Sequence, residues 1–244
     1  MINKRFRSMF LFLAGIPALV HSNPYSDFES RVNAAAIKPF ALDLGGLLGA
    51  SSFHSGRSLG MPGFEAGVVG VVQSKPDRNN LILRNSGIDA FGLPLVRGAV
   101  GLPFNIDIAA HGIKLEGASV IGGGLRYGIF QSSLLTQFLP SVGISAFGDR
   151  VTHRAFRAEH FGFSVCAGWD IPIITPFIGV GLDSTRVTVK AATAAGVVGF
   201  SEIAKGYRAT LGADVTPFPF MRLRGAYLLL HGVVGGMASL GVQF

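Results

Sequence analysis

Beyond residue 60 the chain repeats one pattern, with apolar residues at every second position and small or polar residues between them. A period of two is that of an extended strand with unlike faces, whereas a helix would show a period of 3.6. The last stretch, VVGGMASLGVQF, is the clearest case. Val234, Ala238, Leu240, Val242 and Phe244 fall on one side, and Gly235, Met237, Ser239, Gly241 and Gln243 on the other. Phe64, Ala66, Val68, Gly70 and Val72 oppose Glu65, Gly67, Val69 and Val71 in the same way. Further combs run from Asn105 to His111, from Ile121 to Tyr127, from Ser141 to Ala146 and from His160 to Trp169. Others cover Ile174 to Asp183, Tyr207 to Asp214 and Arg222 to Leu229, and one from Phe91 to Val100 is blurred by Pro94 and Arg97. Ten strand candidates result. Each is about 9 to 13 residues long, enough for tilted strands to cross a bilayer.

The residues ahead of the strands read differently. YSDFESRVNAAAI, 25 to 37, predicts a short helix capped by Ser26, with Glu29 three residues later and alanines at its centre. From Phe40 to Ser52 the Leu-Gly-rich spacing fits either a helix or a broken strand. This segment is too apolar for a free tail, so it is expected to fill the interior of the sheet structure or to pack on its rim. At the start, the basic MINKRFR followed by MFLFLAGIPALV has the form of a secretory signal peptide, with Val20 and Ser22 supplying small residues for cleavage near residue 22. The expected organisation is therefore a signal peptide over 1–22, a helical or plug segment over 23–60 and a β-domain over 61–244.

Composition points the same way. Charged residues make up 14% of the chain and hydrophobic ones 49%, against about 25% charged in an ordinary soluble domain. Much of the surface is thus expected to face something other than water. Removing Lys4, Arg5 and Arg7 with the signal peptide takes the net charge from +7 to +4, too small and scattered an excess for nucleic-acid binding. The lone Cys166 forms no intrachain disulfide and reads as a small, buried strand residue.

A chain ending in Phe, with apolar residues at alternating positions before it, resembles the closing strand of bacterial outer-membrane β-barrels. In that family the strand seals the barrel against the first one and is read by the assembly machinery. The stretch SSFHSG from Ser51 to Gly56, then GFEAGVVG and LPFNIDIAAHG, is similar to uncharacterised members that carry a short helical segment before the barrel. An apolar segment ahead of the barrel also resembles long-chain fatty-acid channels, which are larger, usually of fourteen strands. The resemblance implies an all-β fold, a transmembrane antiparallel up-and-down β-barrel of about ten strands in the outer membrane of a Gram-negative-type bacterium. Its implied partners are outer-membrane lipid and the assembly machinery, and Phe244 becomes the barrel-closing residue. The physical logic agrees, because no strand edge can stay unpaired in hydrocarbon. If both termini are periplasmic, the odd connections are external. Those include the two longest, 74–90 and 187–203, while the even ones at 101–103, 170–173 and 215–218 are short and 129–139 is an exception. Phe91, Tyr127, Trp169, Tyr207 and Phe244 are candidates for interfacial girdles. Two other readings compete: a secreted β-sandwich, since alternation does not distinguish lipid from a second sheet, and a membrane helix over 228–242, opposed by His231 and the glycines.

Candidate chemistry is sparse. The histidines at 21, 54, 111, 153, 160 and 231 show no metal-ligand spacing, and no HxxxH or CxxC occurs. Gly122-Gly123-Gly124 lacks the ending of a phosphate loop and sits within a strand pattern. No enzyme activity and no cofactor are expected. Asp107, Arg126, Asp183, Arg208, Asp214, Arg222 and Arg224 share the face expected to point into the lumen. They either stiffen a small barrel as ion pairs or line a selective passage. The expected function is a narrow passive channel or transporter for small or apolar solutes; the alternative is a plugged structural or surface-interaction barrel presenting its external loops. Nothing in the sequence sets an oligomeric state.

Overall fold

The computed structural model describes residues 24–133, 136 and 138–244; the expected signal peptide lies outside them. Ten strands form one antiparallel sheet: β1 (Phe64–Gln73), β2 (Phe91–Leu102), β3 (Ile106–Leu115), β4 (Ala118–Phe130), β5 (Ser141–Thr152), β6 (Phe156–Gly168), β7 (Ile174–Val189), β8 (Ser201–Phe218), β9 (Met221–Leu230) and β10 (Val233–Gln243). Each pairs with its neighbours in sequence, and β1 pairs with β10, so the sheet is a closed up-and-down barrel. Closure removes the sandwich reading. Among the described residues no helix is long and apolar enough to cross a membrane, and residues 228–242 belong to β9 and β10. Phe244 completes the seam, exchanging two 2.9 Å backbone hydrogen bonds with Phe64 at the first residue of β1.

The period-two pattern has its cause in the two faces of the wall. Outward residues such as Val96, Ile121, Leu125, Phe163, Val180, Leu182 and Leu211 are large, apolar and exposed. Inward positions are glycines, small residues and paired charges, joined by large apolar side chains such as Val71, Phe156, Phe177 and Leu228 that form the core. The termini of the barrel and the even connections share one end, called here the lower end. Phe64, Phe104, Phe130, Phe218, Phe220 and Phe244 are exposed there, at strand ends and turns. Tyr127 and Tyr207 are also exposed on the outer face. Phe91 is not a girdle residue: it is 1% exposed and packs inward on Tyr25, with ring centroids 6.1 Å apart.

Several boundaries differ from the sequence reading. The upper parts of β7 and β8 extend through what reads as a loop, leaving only 190–200 between them. Thr216-Pro217 is not a turn; the β8–β9 register shifts between Val215 and Phe218, and the chain reverses at 219–220. Of the odd connections only 74–90 and 190–200 are long, while 131–140 at the lower end is also long. The expected helix over 25–37 breaks at Val32, which is extended, into α1 (Phe28–Arg31) and α2 (Ala34–Ala50). Asn33 caps α2 by accepting from the Ala36 N–H at 3.0 Å, the usual way to satisfy a free helix-start donor. A third short helix, α3 (Leu81–Asn85), interrupts the 74–90 connection.

The wall carries an unpaired stretch between β2 and β3. β2 and β3 pair from Val96–Gly112 to Leu102–Ile106. Above that level Phe91–Leu95 pair only with β1, and Ile113–Leu115 only with β4. Pro94 sits in this stretch and has no N–H to give.

Candidate functional site: the filled lumen

The lumen is occupied along its length by α2 and the segment that follows. Ile37, Phe40, Ala41, Leu44, Leu47 and Leu48 are fully buried, in one cluster with the inward residues of the wall. From Phe40 on, Asp43 is the one charged residue of α2, as an enclosed position selects, whereas Ala34, Ala35 and Lys38 at its start are exposed. It descends from the upper end, where Asp43 meets Gln73, to the lower end, where Phe53 lies beside Gly179. The upper mouth is covered as well. Ile82 and Leu83 of α3 join the core, and Asp43 fastens the 74–90 connection by accepting from Gln73 Nε2 (2.6 Å), Asn80 Nδ2 (2.7 Å) and the Asp77 N–H (2.9 Å). Burial pushes the Asp43 carboxyl upward, against these hydrogen bonds and with the nearby Asp77 charge. The 190–200 connection is tied to α1 by Thr193 N–H donating to Glu29 O at 2.8 Å.

The wall carries two charged layers, one level with the second half of α2 and one below it. In the lower one, Arg224 makes a two-pronged contact with Asp214 (Nε–Oδ1 2.5 Å, Nη2–Oδ2 2.7 Å) and donates to Phe53 O at 2.6 Å. The two residues face each other directly in the β8–β9 register. Arg222 lies 3.9 Å from Asp214 at the edge of a polar lower vestibule of about 690 Å³. Asp107 accepts from the Leu59 N–H at 2.9 Å. Arg126, its register partner, bonds instead to Glu65 at 3.2 Å, and Glu65 is shared with Arg97. His54 is enclosed here, its Nδ1 accepting from the Gly56 N–H at 2.9 Å.

The upper layer joins α2 to the wall. Arg208, 1% exposed, donates from Nε to both Asp183 oxygens at 2.9 Å and from Nη1 to Ser164 Oγ at 2.9 Å, and its guanidinium lies 4.8 Å from the Phe53 ring centre. Gly49 of α2 presses on this pair: a Cβ there would lie 2.3 Å from Arg208 Nε and 2.4 Å from Asp183 Oδ1. His231 Nε2 is 3.2 Å and His160 Nε2 3.5 Å from Asp183. The row continues round the wall through His160 Nδ1–Thr185 Oγ1 (2.9 Å) and His111 Nε2–Asp149 Oδ1 (2.5 Å). His111, Gly122, Asp149, His160 and Thr185 are successive register partners on β3 to β7. Gly122 has a spatial cause, since a Cβ there would lie 1.8 Å from Asp149 Oδ1 and 2.6 Å from His111 Nε2.

Of the seven candidate lumen residues, the structure pairs Asp183 with Arg208 and Asp214 with Arg224, leaves Arg222 at the mouth, and separates Asp107 from Arg126. Glu65, Arg97, His111, Asp149 and Asp43 were not among those candidates. Glu65 and Arg97 sit in the inward comb of their strands, a signal available once alternation is followed through Pro94. Asp149 lies beyond the comb read for the fifth strand, which stops at Ala146. Cys166 is buried. Among the described residues no group of three or more His, Cys, Asp or Glu is placed to hold a metal ion.

No protein-family model matches the chain, and no curated protein matches it. Among solved structures, the chain is similar to Neisserial surface protein A (13% identity, 74% of this chain and 94% of that one, TM-score 0.33). It is also similar to Ail, the attachment invasion locus protein of Yersinia pestis (12% identity, 75% and 100%, TM-score 0.32), and to the N-terminal β-barrel domain of Pseudomonas aeruginosa OprF (16% identity, 57% and 95%, TM-score 0.33). The pairing of this chain's own strands carries the architecture. It is a ten-stranded antiparallel β-barrel that resembles bacterial outer-membrane barrel proteins.

Proposed function

We propose that this chain is a closed outer-membrane barrel of a Gram-negative-type envelope, plugged by its own amino-terminal helix, with a structural or surface-interaction role. One observation carries the reading: α2 and two layers of paired charges fill the lumen that an open channel would leave to water. The apolar outer face supports lipid as its surroundings, and the exposed Phe244 at the closing seam supports recognition by the assembly machinery. The polar groups of the lumen are assigned a stiffening role and no catalysis. The upper connections act as a lid more than as displayed loops, because 74–90 and 190–200 are bonded down to the plug.

A second reading, passage of small apolar molecules, is favoured by the unpaired stretch between β2 and β3. A narrow slot opens there, lined by Tyr25, Leu93, Pro94, Ile113, Leu115 and Val120. It reaches the core from the side, so such a route would leave the plug in place. Planar-bilayer recording separates these readings from a simple pore. The intact chain is expected to give no steady conductance, and a variant lacking residues 24–52 to give channels; steady conductance by the intact chain would overturn the plugged reading.

A further inference from the structure

The outer face of the wall changes character abruptly toward its upper end. One row of register partners across β3 to β8 is wholly apolar or aromatic: Ile108, Leu125, Ala146, Phe163, Leu182 and Tyr207. Three rows higher, on the same outward face, the partners are Lys114, Ser119, Thr152, Arg157, Thr188 and Ser201. Between them lie two rows, one with Phe161, Ser184 and Lys205 and above it one with Ile121, Arg150, Glu159, Arg186 and Ile203, where the change begins. Exposed cations on the lipid side are tolerated near the interface and not at the bilayer centre, so these rows mark the level of the headgroups.

The charge at this level is unbalanced. An external cleft of about 470 Å³ on β6, β7 and β8 is lined by Arg157, Glu159, Arg186, Thr188, Lys190 and Ser201. Glu159 is already 3.4 Å from Arg150. Arg157 and Arg186 have no ion-pair partner among the described residues, and the Lys190 Nζ donates to the His153 carbonyl at 3.3 Å. Immediately below, Phe161 and Leu182 are 57% and 65% exposed. An occupant must therefore be anionic at the cleft and apolar beneath it. A zwitterionic lipid would bring an ammonium toward three cations, and a single phosphate would leave most of them unmatched.

We propose that this cleft binds the headgroup of a multiply phosphorylated glycolipid of the outer leaflet, with Arg157, Arg186 and Lys190 on its phosphates and its acyl chains on Phe161 and Leu182. The site rests on the membrane-spanning reading of the barrel. Arginine suits such a position because its planar fork matches phosphate oxygens two at a time. The site is distinct from the lumen and does not depend on whether the plug moves.

Native mass spectrometry of the detergent-solubilised full chain tests it, with bisphosphorylated lipid A, phosphatidylglycerol and phosphatidylcholine as probes. Lipid A adducts are expected to survive, and phosphatidylglycerol and phosphatidylcholine to be lost at lower activation. The triple variant Arg157→Gln, Arg186→Gln, Lys190→Gln should bind lipid A about a hundredfold more weakly, about fivefold per cation, which corresponds to ~1 kcal/mol each. A control with equal charge loss on the 74–90 connection, Lys75→Gln, Arg78→Gln, Arg84→Gln, should bind as the parent does. Equal lipid A binding by the triple variant, or equal retention of phosphatidylglycerol by the parent, would overturn the site. Heat-modifiable migration of each variant shows separately that the barrel has formed, so a misfolded variant is not mistaken for a failed site.

Discussion

Gly46 and Gly49 lie within one turn of α2, and the structure predicts unequal outcomes when each becomes alanine. Alanine in a helix interior gains about 1 kcal/mol over glycine. At Gly46 the new methyl would meet His231 Cδ2 at 3.0 Å and Leu230 Cβ at 3.1 Å, so the neighbours must give by a few tenths of an ångström. His231 is held 3.2 Å from Asp183 and Leu230 Cβ is fixed to the wall, so this small shift offsets the gain in helix propensity. Gly46→Ala should therefore be close to neutral, within about 1 kcal/mol of the parent. At Gly49 the methyl would lie 2.3 Å from Arg208 Nε, and the guanidinium is held by Asp183 on one side and Ser164 on the other. Moving it by about an ångström forfeits at least one charged hydrogen bond, worth about 1.5–3 kcal/mol, and overpacking adds about 1–3 kcal/mol. The helix-propensity gain loses, and a net loss of about 2–4 kcal/mol remains. Urea unfolding of both variants in lipid vesicles, followed by tryptophan emission and by gel migration, measures the difference. Equal stability of the two variants, or a Gly49→Ala protein as stable as the parent, would refute the claim that α2 is pressed against the Asp183–Arg208 pair.

Three further outcomes follow from the same contacts. Arg224→Met strands the buried Asp214 carboxylate and should cost about 3–5 kcal/mol, while the double variant with Asp214→Asn should recover most of it; a fully additive pair in the same urea assay would contradict direct coupling. Deleting Phe244 removes both hydrogen bonds to Phe64 and should lower the fraction of folded barrel recovered from the outer membrane, with unchanged recovery as the contrary result. His153, on the upper β5–β6 turn, packs on Tyr25 at 5.6 Å and Phe156 at 5.1 Å. Burial holds its imidazole below the ordinary range, with Arg154 and Lys190 acting alike and Glu29 opposing. The folded state therefore favours neutral His153. Its contribution is full above the ordinary value of about 6.5 and is lost as pH falls below it. Deuterium exchange over residues 24–33, corrected for intrinsic rate, should speed up from pH 7.5 to pH 5 in the parent and not in His153→Phe; a pH-independent parent would contradict this.

The strands were legible because the outer face of the wall is apolar over most of its height, so Val, Ile, Leu and Phe recur at alternate positions there. Legibility failed where that constraint ends. Above the apolar rows, Ser184, Arg186 and Thr188 face outward on β7, and an amphipathic pattern with polar outer residues reads as a loop. Thr216-Pro217 carries turn chemistry but occupies a register shift, where a proline's missing N–H is tolerated. Helix α2 was read only in part, its start as the end of a helix over 25–37 and the rest as either a helix or a broken strand: enclosed by the wall from Phe40 on, it is apolar round most of its circumference, and Pro39 within it reads as a break. The lumen charges were visible as inward residues but their partners were not. Arg126 chooses Glu65 over the Asp107 opposite it, and His111 reaches Asp149 across the bare backbone of Gly122. Such choices depend on register and on which neighbours are glycine, information spread over strands far apart in the chain.

The central claim, that these ten strands close into a barrel set in an outer membrane, is tested most directly by envelope fractionation combined with gel migration before and after boiling. The protein is expected to partition with the outer membrane, and its unboiled band to run faster than the boiled one. Recovery in the soluble fraction with a single, heat-independent band would contradict it.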